Sequence, residues 1–171
     1  GLPPFIERSI QEAENDSASA IVFEINTFGG RVDAATQIKD AILDSKVPTI
    51  AFINKRAISA GALISLSCEK IYMTGGATIG ATTAVDMQGN KASEKVISYM
   101  REEMASTAEK RGRNKIIARG MVDEELEFPS KIVNEFVNSD NEIDTIKTKI
   151  YYLMFDSDTV IVDDIEGRKQ G

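Results

Sequence analysis

The sequence predicts an α/β domain whose sheet is mainly parallel. Three observations carry that prediction. Short apolar runs at 20–26 and 49–53 are separated by an amphipathic stretch at 32–44, where Val32, Ala35, Ile38 and Ile42 recur at helical spacing. The alternation then repeats: a helical pattern follows Ser59, and Lys70-Ile71-Tyr72-Met73 reads as a further short strand. Such a β-α-β order folds by right-handed crossovers into a parallel sheet with helices packed on it. The third observation is bulk composition. With 171 residues, 42% apolar and 27% charged, the chain is long enough for one sizeable core.

Each element has a local reason. Residues 3–15 place Ile6, Ile10 and Ala13 on one helical face, and Pro3 and Pro4 suit a helix start. Thr27-Phe28-Gly29-Gly30 is a turn signal after the first strand. Lys46-Val47-Pro48 connects the helix at 32–44 to the next strand. The helix after Ser59 runs to about Cys68. Gly75-Gly76-Ala77-Thr78-Ile79-Gly80-Ala81 is a tight, glycine-rich segment ending near Val85, and 86–91 is a polar loop. Residues 92–111 give the longest helical pattern, with Val96, Ile97, Met100, Met104 and Ala108 sharing a face. The two methionines suit either a core or an interface between copies. A short helix is expected at 114–121 and another at 131–137. Residues 143–156 fit neither period cleanly, 159–162 reads as a strand, and 166–171 as a frayed tail.

Composition narrows the function. A formal net charge of −7 argues against a nucleic-acid partner. No apolar run is long enough to span a bilayer. The single cysteine, Cys68, excludes an internal disulfide and sits in an apolar helix end, as a small core residue would. There is no histidine. That excludes a Ser-His-Asp triad, a Cys-His pair and a His-ligated zinc site, so no metal and no cofactor is expected. Any nucleophilic catalysis must take its base from a lysine, a carboxylate or a terminal amine.

Two stretches carry candidate chemistry. Arg56-Ala57-Ile58-Ser59-Ala60-Gly61-Ala62 joins a strand to a helix. A serine there lies at a helix N-terminus, where free N–H groups and the helix dipole favour developing negative charge. Its plain role would be an N-cap. Gly29-Gly30 also follows a strand and lacks the third glycine of a dinucleotide fingerprint. Its plain role is a turn; its chemical role is an oxyanion hole, with the Ala60 N–H as second donor. In parallel sheets the crevice lies outside the carboxyl ends of the strands, so Gly29-Gly30 and Ser59 should share it.

Asn26-Thr27-Phe28-Gly29-Gly30-Arg31-Val32-Asp33, Arg56 to Ala62, and Lys70 to Met73 with Ala77 to Ala81 together resemble the NfeD family of membrane-bound serine proteases. The likeness is to its Clp-protease-like N-terminal domain. The motifs keep their order and spacing over about residues 5–122, with Gly30 lying 29 positions before Ser59. The resemblance implies a Clp protease/crotonase-like fold and a Ser–Lys dyad. Lys95, in Lys95-Val96-Ile97-Ser98-Tyr99, matches the family's lysine, and Lys91 in the loop before it is the runner-up. It implies that Ser59 attacks a peptide carbonyl while Gly30 and Ala60 hold the oxyanion.

By the same resemblance the substrate is an apolar segment of a membrane-associated protein, a stomatin-like membrane protein is a partner, and the domain forms homo-oligomers. The full-length protein would act on the extracytoplasmic or periplasmic side of a membrane, this chain being a soluble fragment of it. Two departures stand out. Phe28 occupies the place of the family's proline, and a strand expected before the first helix is not visible. Residues 123–171 diverge from the pattern, though the chain reads as a single domain over 1–171. Two other readings stay open: a non-proteolytic scaffold of the same fold, and an acyl-CoA enzyme of the wider crotonase group.

Overall fold

The computed structural model describes residues 1–85 and 90–123, together with the backbone pairing of Ile150–Asp156 and Thr159–Ile165. The chain opens with α1 (Leu2–Asn15), which carries proline in its first turn and buries Ile6, Ile10 and Ala13. β1 (Ala20–Thr27) follows. Its residues Ile21, Phe23 and Ile25 point to one face and are fully buried. α2 (Val32–Asp44) buries Ala35, Ile38 and Ile42. β2 (Thr49–Ile58) leads through Ser59 into α3 (Ala60–Ser67). Two short strands, β3 (Lys70–Met73) and β4 (Thr78–Gly80), precede α4 (Glu94–Lys110) and α5 (Lys115–Gly120). The last pair is β5 (Ile150–Asp156) and β6 (Thr159–Ile165).

The strands form one sheet in the order β3-β2-β1-β5-β6, with β4 also paired to β2. Every pairing is parallel except β5 with β6. The fold is therefore α/β with a mainly parallel sheet, as the alternating pattern predicts. β1 sits centrally: the chain leaves it toward β2 and returns on its other side as β5. That reversal is a topological switch point, and the carboxyl end of β1 is where such folds open a crevice.

Two apolar clusters hold the layers together. One lies between the sheet and α1 and α2, built on Ile21, Phe23, Ile25, Ile38, Ile42 and Ile53. The other packs α3 against α4 and α5 through Leu63, Leu66, Ile97, Met100, Met104 and Val122. Met100 and Met104 are core residues, which decides between their two sequence roles. Cys68 is also core, and burial pushes its thiol up to about 12. One polar tie crosses the second layer: buried Lys39 on α2 reaches Glu103 on α4 and its neighbour Asp40, each at 2.8 Å.

Two segments differ from the sequence expectation, and a third, which fits neither period, gains a definite reading. β2 does not stop at Ile53. The polar Asn54-Lys55-Arg56 ends the apolar run, but the backbone continues and changes partner from β3 to β4. A three-residue strand, β4, sits inside the glycine-rich segment. The stretch at 143–156 contains a strand, β5, because its register against β1 supplies the backbone partners that side-chain period alone did not reveal. The expected helix at 131–137 lies outside the described residues.

Candidate active site

The crevice at the end of β1 is built from three chain segments. The first is the glycine turn. The Thr27 hydroxyl oxygen accepts the Gly29 N–H at 3.1 Å, and the same hydroxyl lies 3.3 Å from the Gly29 carbonyl. Gly29 has φ +124°, a conformation glycine alone adopts without strain. A Cβ at Gly29 would lie 2.7 Å from Ser59 Cβ and 3.2 Å from Ser59 Oγ. The absent side chain is therefore what lets the turn touch the serine. At Gly30 a Cβ would meet nothing within 4 Å, so that residue faces open space. The Gly29 N–H is committed to Thr27, whereas no hydrogen bond among the described residues uses the Gly30 N–H.

The second segment is the serine junction. Ser59 has φ 54° and ψ −117°, far from the conformations L-residues prefer. Its N–H is held by the Gly80 carbonyl at 2.9 Å, and its carbonyl accepts the Ala62 N–H at 2.9 Å. Its side chain makes no capping bond to α3. The plain reading of Ser59 as an N-cap therefore fails at the hydroxyl. Backbone strain at a half-buried serine with an uncommitted cap role is the pattern of a strand-to-helix nucleophile turn. Ala60 is the first residue of α3, so its N–H is one of the unpaired donors at that helix end.

α3 itself is anchored hard. All eight of its residues are buried. At its carboxyl end Arg111 Nε donates to the Ser67 carbonyl at 2.7 Å and Arg113 Nη1 to the Leu66 carbonyl at 3.0 Å. Cations there satisfy the last carbonyls and complement the helix dipole. Gly61 lets this helix lie on β1: a Cβ there would sit 2.5 Å from Thr27 Cγ2.

Beside the glycine turn lies a cavity of about 250 Å³. Ile25, Ile38, Ile64 and Ala35 form its apolar wall, and Gly29, Gly30 and Ala60 its edge. Phe28 stands at the mouth, 71% exposed, with the Arg56 guanidinium 4.4 Å from its ring centroid. Arg31, next along, pairs with Asp33 through two hydrogen bonds of 2.9 and 2.7 Å, which hold the Asp33 carboxyl down at about 2.

The two lysines lie apart from this. Lys95, in the first turn of α4, is exposed and borders a second, shallower groove with Val32, Thr36, Val96 and Tyr99. No hydrogen bond among the described residues joins it to Ser59. Lys91 is exposed and bridges Val85 through its backbone. Gly30 and Ala60 thus line the cavity and Ser59 adjoins it through Gly29, while Lys95 and Lys91 are not among its lining residues. Among the described residues no cluster of His, Cys, Asp or Glu is arranged to hold a metal ion. No helix among them is long and apolar enough to cross a membrane.

Comparison with known proteins identifies the family. The family model for the NfeD1b N-terminal domain matches residues 1–147. The chain belongs to that family. The match runs beyond residue 122, where the recognisable motifs stop. Membrane protein NfeD1b of Bacillus subtilis is 42% identical over 127 residues, covering 74% of this chain and 29% of that protein. Membrane-bound protease PH1510 of Pyrococcus horikoshii is 32% identical over 165 residues, covering 84% of this chain and 37% of that protein. The chain thus spans about a third of the length of these relatives.

Among solved structures, 1510-N, described as a membrane-bound stomatin-specific protease, superimposes with a TM-score of 0.69 at 31% identity. That structure is a lysine-to-alanine variant in complex with a substrate peptide, and the match covers 78% of this chain and 65% of that one. ClpP1 from Listeria monocytogenes, at 19% identity and a TM-score of 0.51 over 79% of each chain, shares the fold.

The sequence reading named Gly30, Ser59 and Ala60 but missed three supports around them. These are the Thr27 latch on Gly29, the close seat of Gly61 on Thr27, and the Arg56–Phe28 stack. A threonine two residues before a glycine and a glycine two after the serine are visible in the sequence. Nothing along the chain links Phe28 to Arg56.

Proposed function

We propose that this chain is a serine endopeptidase domain cleaving apolar polypeptide segments with a Ser59–Lys95 dyad. The observation that carries the reading is Ser59 itself: a strained strand-to-helix serine, its hydroxyl unused as a cap, pressed against a glycine turn. In the reaction Ser59 Oγ attacks the peptide carbonyl and the neutral Lys95 amine takes its proton. The tetrahedral oxyanion accepts from the Gly30 and Ala60 N–H groups. Its collapse breaks the C–N bond, and the Lys95 ammonium returns the proton to the leaving amine. Water then hydrolyses the acyl ester with the same base.

The cavity of about 250 Å³ suits one medium-sized apolar side chain beside the scissile bond. A lysine normally titrates near ~10.4, so a base role needs its removal from water. Lys95 is exposed in this structure, and the mechanism therefore requires the first turn of α4 to close on bound substrate. Lys91 is the alternative base.

Two solved structures of one relative support the reading: 1510-N as a lysine-to-alanine variant in complex with a substrate peptide, and 1510-N as a serine-to-alanine variant. By the same analogy the partner is a stomatin-like membrane protein; a homo-oligomeric assembly and an extracytoplasmic site follow only from the family resemblance. Labelling with a serine-reactive fluorophosphonate tests the central role. We expect one adduct, on Ser59, absent in Ser59→Ala; an adduct that persists in Ser59→Ala contradicts it.

The scaffold reading has one observation in its favour, the separation of Lys95 from the serine crevice. It predicts no adduct on Ser59 in any variant. The acyl-CoA reading needs a carboxylate in the crevice, and none lines the cavity among the described residues.

A further inference from the structure

The Gly29-Gly30 turn raises a mechanical question. Two adjacent glycines are the loosest link a chain can offer, yet an oxyanion donor works only when it is held in place before the reaction. Downstream of Gly30, the Arg31 guanidinium is held by Asp33. At Gly30 itself no neighbour lies within reach of a Cβ. Upstream, Thr27 fixes the polar atoms of Gly29. The remaining handle is Phe28.

Phe28 is 71% exposed, so burial does not explain a large aromatic side chain there. Its ring instead lies against the Arg56 guanidinium, 4.4 Å from centroid to Cζ. Arg56 reaches it because β2 is irregular at this point. Ile25 pairs with Ile53, but Thr27 pairs with Ala57, so β2 advances four residues while β1 advances two. Extra residues of this kind bend a strand and re-aim its side chains. Beyond the irregularity Arg56 is locked to Thr78 of β4, three residues before Ser59. The guanidinium is therefore mounted on the same rigid strand that carries the serine.

We propose that the Arg56–Phe28 stack is a positioning clamp that fixes the glycine turn, and with it the Gly30 N–H, relative to Ser59. The catalytic part of this inference rests on the proposed serine protease reading. Arg56 and Phe28 act through the turn and take no part in the bond changes. An exposed cation–π contact is a modest force, and small displacements of a catalytic donor are costly. Loss of the clamp should lower the acylation rate about three- to tenfold.

The test uses the 171-residue chain as wild type, Arg56→Gln, Phe28→Leu, the double variant and Phe28→Tyr, which keeps the ring. One readout is the acylation burst with a leucyl peptide p-nitrophenyl ester. We expect each of the first two single variants to lose rate at unchanged KM. The double variant should be no worse than the weaker single, and Phe28→Tyr, which keeps the ring over Arg56, should lose less rate than Phe28→Leu. The other readout is the ¹⁵N order parameter of the Gly30 amide, which needs no catalysis and should fall in Arg56→Gln and Phe28→Leu.

An unchanged Gly30 order parameter overturns the clamp. So does an additive double variant, or a KM rise with the burst rate unchanged, which would make Phe28 a substrate contact. A wild type with no Ser59-dependent burst counts against the protease reading, and the Gly30 amide then still decides the clamp.

Discussion

The serine crevice and the groove that carries Lys95 are built on different principles. Gly29, Ser59 and Ala60 sit at the ends of β1 and β2, in backbone conformations fixed by Thr27, Gly80 and a fully buried α3. Lys95 sits on the exposed first turn of α4, over a shallow groove. On the proposed mechanism the serine and oxyanion half is assembled by the fold itself, while the basic half is left to substrate. That division has a physical logic. Aligned backbone donors cost nothing to keep assembled at a sheet edge, whereas a desolvated lysine is expensive to hold without a partner.

The largest effect expected is from Ser59→Ala, which should lower peptide hydrolysis by at least ~10³-fold with little change in fold. Lys95→Ala should cost about 10²- to 10⁴-fold, the usual range for a general base. Lys91→Ala should stay within about threefold on the same scale. A reversed order, measured by steady-state kinetics, would move the base into the preceding loop.

Stability separates the two glycines. Gly29→Ala forces a side chain onto Ser59 at a φ of +124°. It should cost about 2–4 kcal/mol in chemical denaturation. Gly30→Ala meets open space and should fold within about 0.5 kcal/mol of wild type. Equal losses at both would show that Gly30 is held as tightly as Gly29. Ser59→Gly should release strain and raise stability by about 1 kcal/mol while abolishing activity.

The smallest effect concerns Cys68, far from the crevice. Burial holds its thiol protonated up to about 12, against an ordinary 9.0. Its folded pKa is raised, so this contribution to stability is complete below about 9 and is lost as pH rises toward 12. At pH 8 a thiol reagent should label Cys68 only after unfolding; rapid native labelling would contradict its placement in the core.

Much of this was legible in the sequence because it follows from periodicity. Ile6, Ile10 and Ala13, or Ala35, Ile38 and Ile42, mark buried faces wherever they occur. Ser59 and Gly30 were legible because they punctuate strand ends. Less legible was whatever depends on register between segments. β4 is three residues long and exists only because β2 extends past Asn54-Lys55-Arg56 to meet it. β5 is a strand because β1 offers it an open edge, which no pattern within 143–156 announces. The Arg56–Phe28 stack joins residues 28 positions apart through an irregularity in pairing. The position of Lys95 relative to Ser59 is of the same kind, since it turns on how α4 packs and not on its own sequence.

The proposed roles of Ser59 as nucleophile and Lys95 as its base are tested most directly by hydrolysis of an apolar peptide by wild type, Ser59→Ala, Lys95→Ala and Lys91→Ala across a pH series. The expected result is a rate that rises with pH, lost in the first two variants and kept in Lys91→Ala. Undiminished cleavage by Lys95→Ala with the same pH profile would contradict it.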